Sequence, residues 1–528
     1  MKKMLGVMID CSRNAVMSTQ TIKQFANIIK KMGYNTIMLY TEDTYEVNNQ
    51  PLFGHLRGRY SKEELKEIDG FCNSIGIELV PCIQTLAHLE NMFKWPEYWD
   101  IVDSGNILLA EDEKTYALIE DMISTVSECF TSKKIHIGMD EAYKVGLGNY
   151  LQKHGFKDRF QIINDHLHRV CDITRKYGLE PMIWSDMFCK LALDIENQYE
   201  HTDNSKILEK ANLPEDISLV YWDYYNTDYD HYTYMINTNK LFKRDVYFAG
   251  GAWTWAGFAP RNQYSIDTTA PAIKACKDTG IDDKVFITMW GDDGSECSKF
   301  TVLPALMYTA EALKGNTDME DIKKKFNEIT GLDFDSFMLL DDLDIKTGEH
   351  TDTSSKYLLY NDPFFGIKDF RCTQNEGEYY KNFAEKMHNI KGVGEFSYIF
   401  DAYEKLARVL EIKAELGVKT RSAYLSNNIE ELKKIIKDYE LLEERLNEFY
   451  YAYQNLWFTE NKPHGFEIQD IRLGGVSRRL HSCKERLIQF VNGEIKEIPE
   501  LLEPVLPVDN GGRCWERMVS VNAIFPNC

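Results

Sequence analysis

The chain has 528 residues, 44% of them hydrophobic and 12% aromatic, which is enough apolar surface for two or three cores and too long for one. A formal net charge of −22 excludes a nucleic-acid backbone or an anionic membrane as the main partner. Twelve cysteines stand singly with no CxxC pair, so their spacing offers no zinc site and fits reduced thiols in a cytoplasmic protein.

At the amino terminus two lysines precede a short apolar run, but Asp10 and Arg13 interrupt it before a signal-peptide core forms. No stretch approaches the roughly 18 apolar residues of a membrane span. From there one alternation repeats over about 315 residues: a β-branched run, a polar loop, an amphipathic helix. The runs lie at 5–10, 35–40, 77–83, 134–138, 181–185, 218–222, 246–250 and 284–290. Between the first two, Ile22, Phe25, Ile28 and Ile29 share a helix face that Gly33 closes. Further on, Ile163, Leu167, Val170 and Ile173 form one stripe. Eight strand–helix units of this length predict an α/β fold, a closed (β/α)8 TIM barrel. An open doubly wound sheet would place a glycine-rich turn after its first strand, and DCSRN has no glycine.

After Leu313 helical patterns take over, at 317–331, 375–389, 395–417, 428–458 and 476–492. The fourth repeats Leu432, Ile435, Tyr439, Leu442, Leu446, Phe449, Tyr453 and Leu456 at intervals of three and four, with Asn428 as its cap. Gly417 reads as the stop of the helix before it, and the glycine pair in 461–475 as a turn. The expected division is a catalytic barrel over 1–318 and an α-helical region over 319–528, packed directly on the barrel. The aromatic content of that region also offers a homodimer contact.

Barrel chemistry sits at the carboxyl ends of the strands. In order, those ends carry Arg13; Glu42 and Asp43; His88; Asp140 and Glu141; Trp184 and Asp186; Trp222 and Tyr224; Trp253 and Trp255; Trp290 and Glu296. Five of the nine tryptophans fall here, as expected of a pocket whose flat aromatic walls meet a sugar ring, although one or two could simply seal the barrel mouth. Adjacent carboxylates on an extended segment point to opposite sides. Their repulsion raises the proton affinity of the less solvated one, leaving one ionised group and one acid.

These residues, in GVMIDCSR, VPCIQTLAH, HIGMDEAY, IWSD and TMWGDDGSE, make the chain resemble the family-20 glycoside hydrolases, the β-N-acetylhexosaminidases. The likeness covers residues 1–320, and the strand-4 pattern H-x-G-x-D-E is its specific part. It implies retaining, exo-acting hydrolysis in which the substrate's 2-acetamido oxygen attacks the anomeric carbon, giving an oxazolinium intermediate. By this likeness Asp140 orients the acetamido group and Glu141 serves as general acid and base. Arg13 holds sugar hydroxyls. Glu296 or its rival Asp292 holds the 4- and 6-hydroxyls. Trp184, Trp222, Trp253 or Trp255, and Trp290 wall the pocket, and Tyr224 or Tyr225 donates to the acetamido oxygen. His88 links the acid to an acidic residue after strand 2, where the family has an Asp-Asp pair and this chain has Glu42-Asp43. The implied partners are N-acetylhexosamine-terminated oligosaccharides or glycoconjugates, with no cofactor or metal. Two alternatives differ in kind: a substrate-assisted glycosidase acting on protein-linked N-acetylglucosamine, which typically uses paired aspartates, and a non-catalytic sugar-binding barrel.

Overall fold

The computed structural model describes residues 3–210, 212–346, 352–507 and 514–523. Eight parallel strands close into a barrel: β1 (Met4–Asp10), β2 (Thr36–Tyr40), β3 (Glu78–Cys82), β4 (Lys134–His136), β5 (Glu180–Trp184), β6 (Ser218–Trp222), β7 (Asp245–Gly251) and β8 (Lys284–Met289). The seam pairs β1 with β8, from Met4 opposite Lys284 to Ile9 opposite Met289. All eight expected strands are present, with β3 and β4 each two residues shorter. Gly138 and Met139 turn to φ 74° and 72°, which takes the chain out of the sheet before it reaches the acidic pair.

Strand alternation fixes what faces the axis. Met8, Met38, Val80, Met182, Val220 and Phe286 fill the interior, and Gly6 is small enough to let Phe286 approach. The intervening residues, such as Val7, Ile37, Ile183 and Leu219, pack outward on the helices. Continued by two residues, or by four in β8, the same inward parity delivers Trp184, Trp222 and Trp290 to the barrel mouth.

Helix α1 (Thr19–Met32) is capped by Ser18, whose hydroxyl accepts the Thr21 N–H, and closed by Gly33 in the left-handed region at φ 110°. Helix α2 (Arg159–Lys176) buries Ile163, Leu167 and Val170 as expected, with Ile173 half-buried. Beyond the barrel come α3 (Ser354–Tyr360), α4 (Ser397–Leu425), α5 (Ile429–Glu460) and α6 (Phe466–Val491). All eight apolar positions expected on α5 are buried. Among the described residues no helix is long and apolar enough to cross a membrane.

Two readings of this region are corrected. Gly417 does not stop a helix; it lies inside α4, where a Cβ would stand 3.1 Å from both the Pro363 carbonyl and Asp369 Oδ1. The glycine signals close packing rather than termination. Residues 466–475 are not a turn but the start of α6, and Gly474 and Gly475 are helical. The break is at Gly465 (φ 91°), where a Cβ would collide with the Asn14 carbonyl. The segment after β1 is tied to the α5–α6 connection through Asn14 Nδ2 to Gly465 O (2.9 Å), Lys462 N to Val16 O (2.8 Å) and Ser18 N to Glu460 O (2.9 Å).

Candidate active site

Backbone strain collects at the carboxyl rim. Asn14, Glu42, His88, Met139, Glu141, Asp292 and Ser295 all have positive φ, and they follow β1, β2, β3, β4 and β8. Such conformations cost about 1–3 kcal/mol each and persist only where the surroundings over-determine them. At β4 the surroundings are tight, since a Cβ on Gly138 would lie 2.0 Å from Gln84 Oε1 and 2.8 Å from the Ile83 carbonyl. Gln84 Oε1 accepts the Met139 N–H at 3.1 Å.

The chain at Asp140 is therefore not extended, and the two carboxylates do not diverge. Both face one nitrogen, His88 Nε2, which lies 3.2 Å from Asp140 Oδ2 and 3.6 Å from Glu141 Oε2. Gln84 Nε2 donates to the other Asp140 oxygen at 2.7 Å. Burial would push Asp140 up, but the charge and contact of His88, together with Gln84, hold it below the usual carboxylate range. Burial opposes charge on His88 as well, yet Asp140 lifts it to about 9. Glu141 is more open, with 40% of its side chain exposed, and accepts from Tyr143 Oη at 3.3 Å. Its carboxyl is raised, by burial first and then by Asp140. The two carboxyls shift in opposite directions, and the more buried one is the one lowered, because its partners outweigh its desolvation. The Glu141 N–H donates to Asp186 Oδ2 at 3.0 Å, and Asp186 is itself pushed up to about 8 by burial and by Asp140.

Glu42 and Asp43 go separate ways. Glu42 Oε1 pairs with Arg13 Nε at 3.1 Å and accepts from Tyr40 Oη at 3.0 Å. Tyr40 in turn accepts from Gln84 Nε2 at 2.9 Å, so a continuous polar chain runs from Arg13 to Asp140. Burial raises Glu42 to about 7 against the pull of Arg13 and His88. Asp43 pairs with Arg57 at 3.1 Å. The acid that His88 touches is thus Asp140, and Glu42 reaches the centre through Tyr40 and Gln84.

The aromatic set forms two layers. Trp222 stacks on Tyr224 (5.2 Å, 22°) and Trp253 on Trp255 (4.3 Å, 23°), with Tyr224 edge-on to Trp255. Trp290 sits edge-on to Tyr40 at 4.7 Å and 6.1 Å from Trp184. Trp253 is wholly buried and donates Nε1 to the Tyr224 carbonyl, so it supports the wall from behind. Tyr224 is buried within reach of the Asp140 charge and of the Thr288 and Trp290 side chains, whereas Tyr225 is 37% exposed, with its ring against Tyr224 and Trp253. Beneath them, the Gly138 N–H donates to His136 Nδ1, and burial lowers His136 to about 3. His136 is therefore neutral with its proton on Nε2, and its ring lies 4.4 Å from Trp184.

At β8 the two rival carboxylates separate. Glu296 is buried against Lys356 Nζ (2.7 Å) and Arg472 (3.1 Å), both from the helical region. Asp292 is half-buried, and its charge acts on Arg13 and Glu141. Sequence reasoning did not single out Tyr40, Gln84, Tyr143, Lys356 or Arg472. Gln84 and Tyr143 stand inside motifs already quoted, and their polarity beside a strand end was the available signal. Lys356 and Arg472 gave none.

Comparisons with known proteins identify the family of the chain. The sequence matches the family described as "Glycosyl hydrolase family 20, catalytic domain" over residues 4–277 and "Glycoside Hydrolase 20C C-terminal domain" over residues 335–520. It is 26% identical to Hexosaminidase D of Bos taurus over 262 residues, covering 47% of this chain and 69% of that one. To Hexosaminidase D of Homo sapiens it is 25% identical over 207 residues, covering 37% of this chain and 40% of that one. A solved structure with a similar fold is the GH20 exo β-N-acetylglucosaminidase from Vibrio harveyi in complex with N-acetylglucosamine. There the TM-score is 0.47 at 15% identity, covering 62% of this chain and 58% of that one. The chain thus spans less than two thirds of the human and Vibrio proteins.

Proposed function

The chain belongs to glycoside hydrolase family 20, and from that premise we propose that it is an exo-acting, retaining β-N-acetylhexosaminidase. It removes terminal non-reducing β-linked N-acetylglucosamine or N-acetylgalactosamine from oligosaccharides or glycoconjugates. One observation carries the reading: neighbouring carboxylates with opposite protonation tendencies, Asp140 held ionised by His88 and Gln84, and Glu141 raised and open to solvent.

In this mechanism the 2-acetamido oxygen of the substrate attacks the anomeric carbon. Asp140 accepts the acetamido N–H and stabilises the positive charge growing on that group, a task that needs a carboxylate ionised at neutral pH. Glu141 gives its proton to the departing glycosidic oxygen and then, as carboxylate, takes one from the water that opens the oxazolinium ring. Two inversions at one carbon leave net retention. Tyr224, Trp222, Trp255 and Trp290 enclose the acetamido group and the sugar ring, and Trp184 closes the floor. Arg13 and Asp292 hold the hydroxyls at the far edge, since Glu296 is committed to Lys356 and Arg472. Residues 1–318 are the catalytic unit and 319–528 a helical domain. Singly scattered cysteines support a cytoplasmic location.

The test is hydrolysis of an aryl β-N-acetylglucosaminide by the purified protein, with a thiazoline mimic of the oxazoline as inhibitor. Turnover with tight inhibition is expected. Turnover insensitive to the thiazoline would reject substrate assistance, and sugar binding without turnover would favour a binding barrel.

A further inference from the structure

The turn that carries Trp290 and Asp292 out of β8 is strained at Asp292 and Ser295, which have φ 27° and 54°. The barrel holds mainly its beginning, with one longer contact further on from Asn14 Nδ2 to the Gly294 carbonyl at 3.4 Å. Asp10 Oδ2 accepts the Gly291 N–H at 2.8 Å, and Lys299 Nζ donates to the Trp290 carbonyl at 2.7 Å. From Asp293 onward the charged partners come from the helical region. Lys356 Nζ, on α3, reaches the Asp293 carbonyl (3.0 Å), Asp293 Oδ2 (2.9 Å) and Glu296 Oε1 (2.7 Å). Arg472, on α6, reaches the Asp293 carbonyl (3.2 Å), Asp293 Oδ1 (2.6 Å) and Glu296 Oε1 (3.1 Å). One helical turn away, Gln469 Nε2 donates to the Gly294 carbonyl at 2.8 Å.

Two cations and two carboxylates cancel here largely out of water, with 1% of the Lys356 side chain and 2% of that of Glu296 exposed and Asp293 more open at 22%. Desolvation consumes most of what such a cluster gains, so hydrophobic replacements of it often cost nothing in stability. What it does provide is geometry: the ammonium and the guanidinium each bind a backbone carbonyl and both acidic side chains, leaving the turn one conformation. We infer that Lys356 and Arg472 are positioning residues for Asp292, so that the grip on the terminal sugar is set from the helical region. This rests on the reading of Asp292 as a ligand for the sugar hydroxyls.

The experiment is a double-mutant cycle on the full chain, combining Lys356→Met with Asp292→Ala, read as kcat and KM on an aryl β-N-acetylglucosaminide and on its 4-deoxy and 6-deoxy analogues. Each single change is expected to raise KM about tenfold or more with a smaller effect on kcat, which marks lost ground-state binding. The double variant is expected to match Asp292→Ala alone, because Lys356 acts through Asp292. The Lys356→Met penalty should shrink on whichever deoxy analogue lacks the hydroxyl that Asp292 holds. Additive penalties, or an equal penalty on every analogue, would overturn the inference. If circular dichroism shows Lys356→Met to be unfolded, Arg472→Lys keeps the charge, loses the fork and carries the same cycle. A wild-type protein that hydrolyses no N-acetylhexosaminide would defeat the hydrolase reading instead. The cycle would then be read in calorimetric binding of N-acetylglucosamine, with the same non-additivity required.

Discussion

His88 Nε2 stands 3.2 Å from Asp140 Oδ2, and this contact sorts the protonation states at the end of β4. Each partner moves the other, with the histidine raised to about 9 and the aspartate lowered. The depressed Asp140 contributes stability above its unfolded value near 3.9, and loses it as pH falls through the folded one. The raised His88 contributes fully below about 6.5, and its share fades as pH rises towards 9. The histidine half of the pair is therefore weakening where many assays are run. NMR titration of the His88 ring should place its midpoint well above that of a free histidine. Asp140→Asn should bring it down by a unit or more, and an unmoved midpoint would break the pairing.

Glu141→Gln should lower turnover by about 10²–10⁴-fold on a substrate with a poor leaving group, the usual range for general acid–base help. The loss should be smaller in the first step with an aryl group that departs without a proton. Asp140→Asn should be costly with either. Steady-state kinetics across leaving groups checks this, and near-normal turnover of a poor leaving group by Glu141→Gln would end the assignment.

The pH profile of kcat/KM should fall on the acid side as Asp140 is protonated and on the alkaline side as Glu141 loses its proton. His88 lowers both carboxyls. His88→Gln should therefore shift both limbs to higher pH. A shift to lower pH, or none, would show that His88 does not control this pair.

Glu460 is buried where α5 meets the barrel, accepting from Ser298 Oγ at 2.6 Å and Tyr398 Oη at 3.1 Å. Burial raises it to about 7, so the folded state holds its proton more tightly than the unfolded chain and stability declines as pH rises from about 4.5 to 7. The cost above pH 7 is on the order of 3 kcal/mol. Glu460→Gln should raise the melting temperature at pH 8 and leave it nearly unchanged at pH 5. Equal effects at both values would contradict the burial argument.

Gly417→Ala should destabilise the protein even though alanine is the better helix former by about 1 kcal/mol. The added methyl would lie 3.1 Å from the Pro363 carbonyl, a backbone atom that cannot step aside alone. Overpacking of this kind typically costs about 1–3 kcal/mol. Denaturant unfolding measures it, and a stabilised variant would show that the contact relaxes.

Much of the molecule is legible in the sequence because period-two and period-3.6 patterns are local. The eight strands, the caps at Asn428 and Gly33 and the buried stripe of α5 all follow from neighbours within a few residues. The same parity that fills the barrel predicts Trp184, Trp222 and Trp290 at its mouth. Distant convergence is not legible. Nothing near Asp140 announces that Gln84 will bond it, and the burial of Glu296 depends on Lys356 and Arg472 from another region. Glycine was the weakest guide, since Gly417, Gly474 and Gly475 suggested breaks and lie within helices.

The ties from Asn14, Val16 and Ser18 to residues 460–465 bear on the order in which the chain can assemble. Synthesis delivers β1 first, yet its seam partner β8 lies some 280 residues later and the clasp on the loop after β1 later still. Contacts of such long sequence separation form slowly and leave surfaces uncovered meanwhile. The mouth of the barrel is thus finished only after residue 472 has been made, and a nascent chain has no complete site before then.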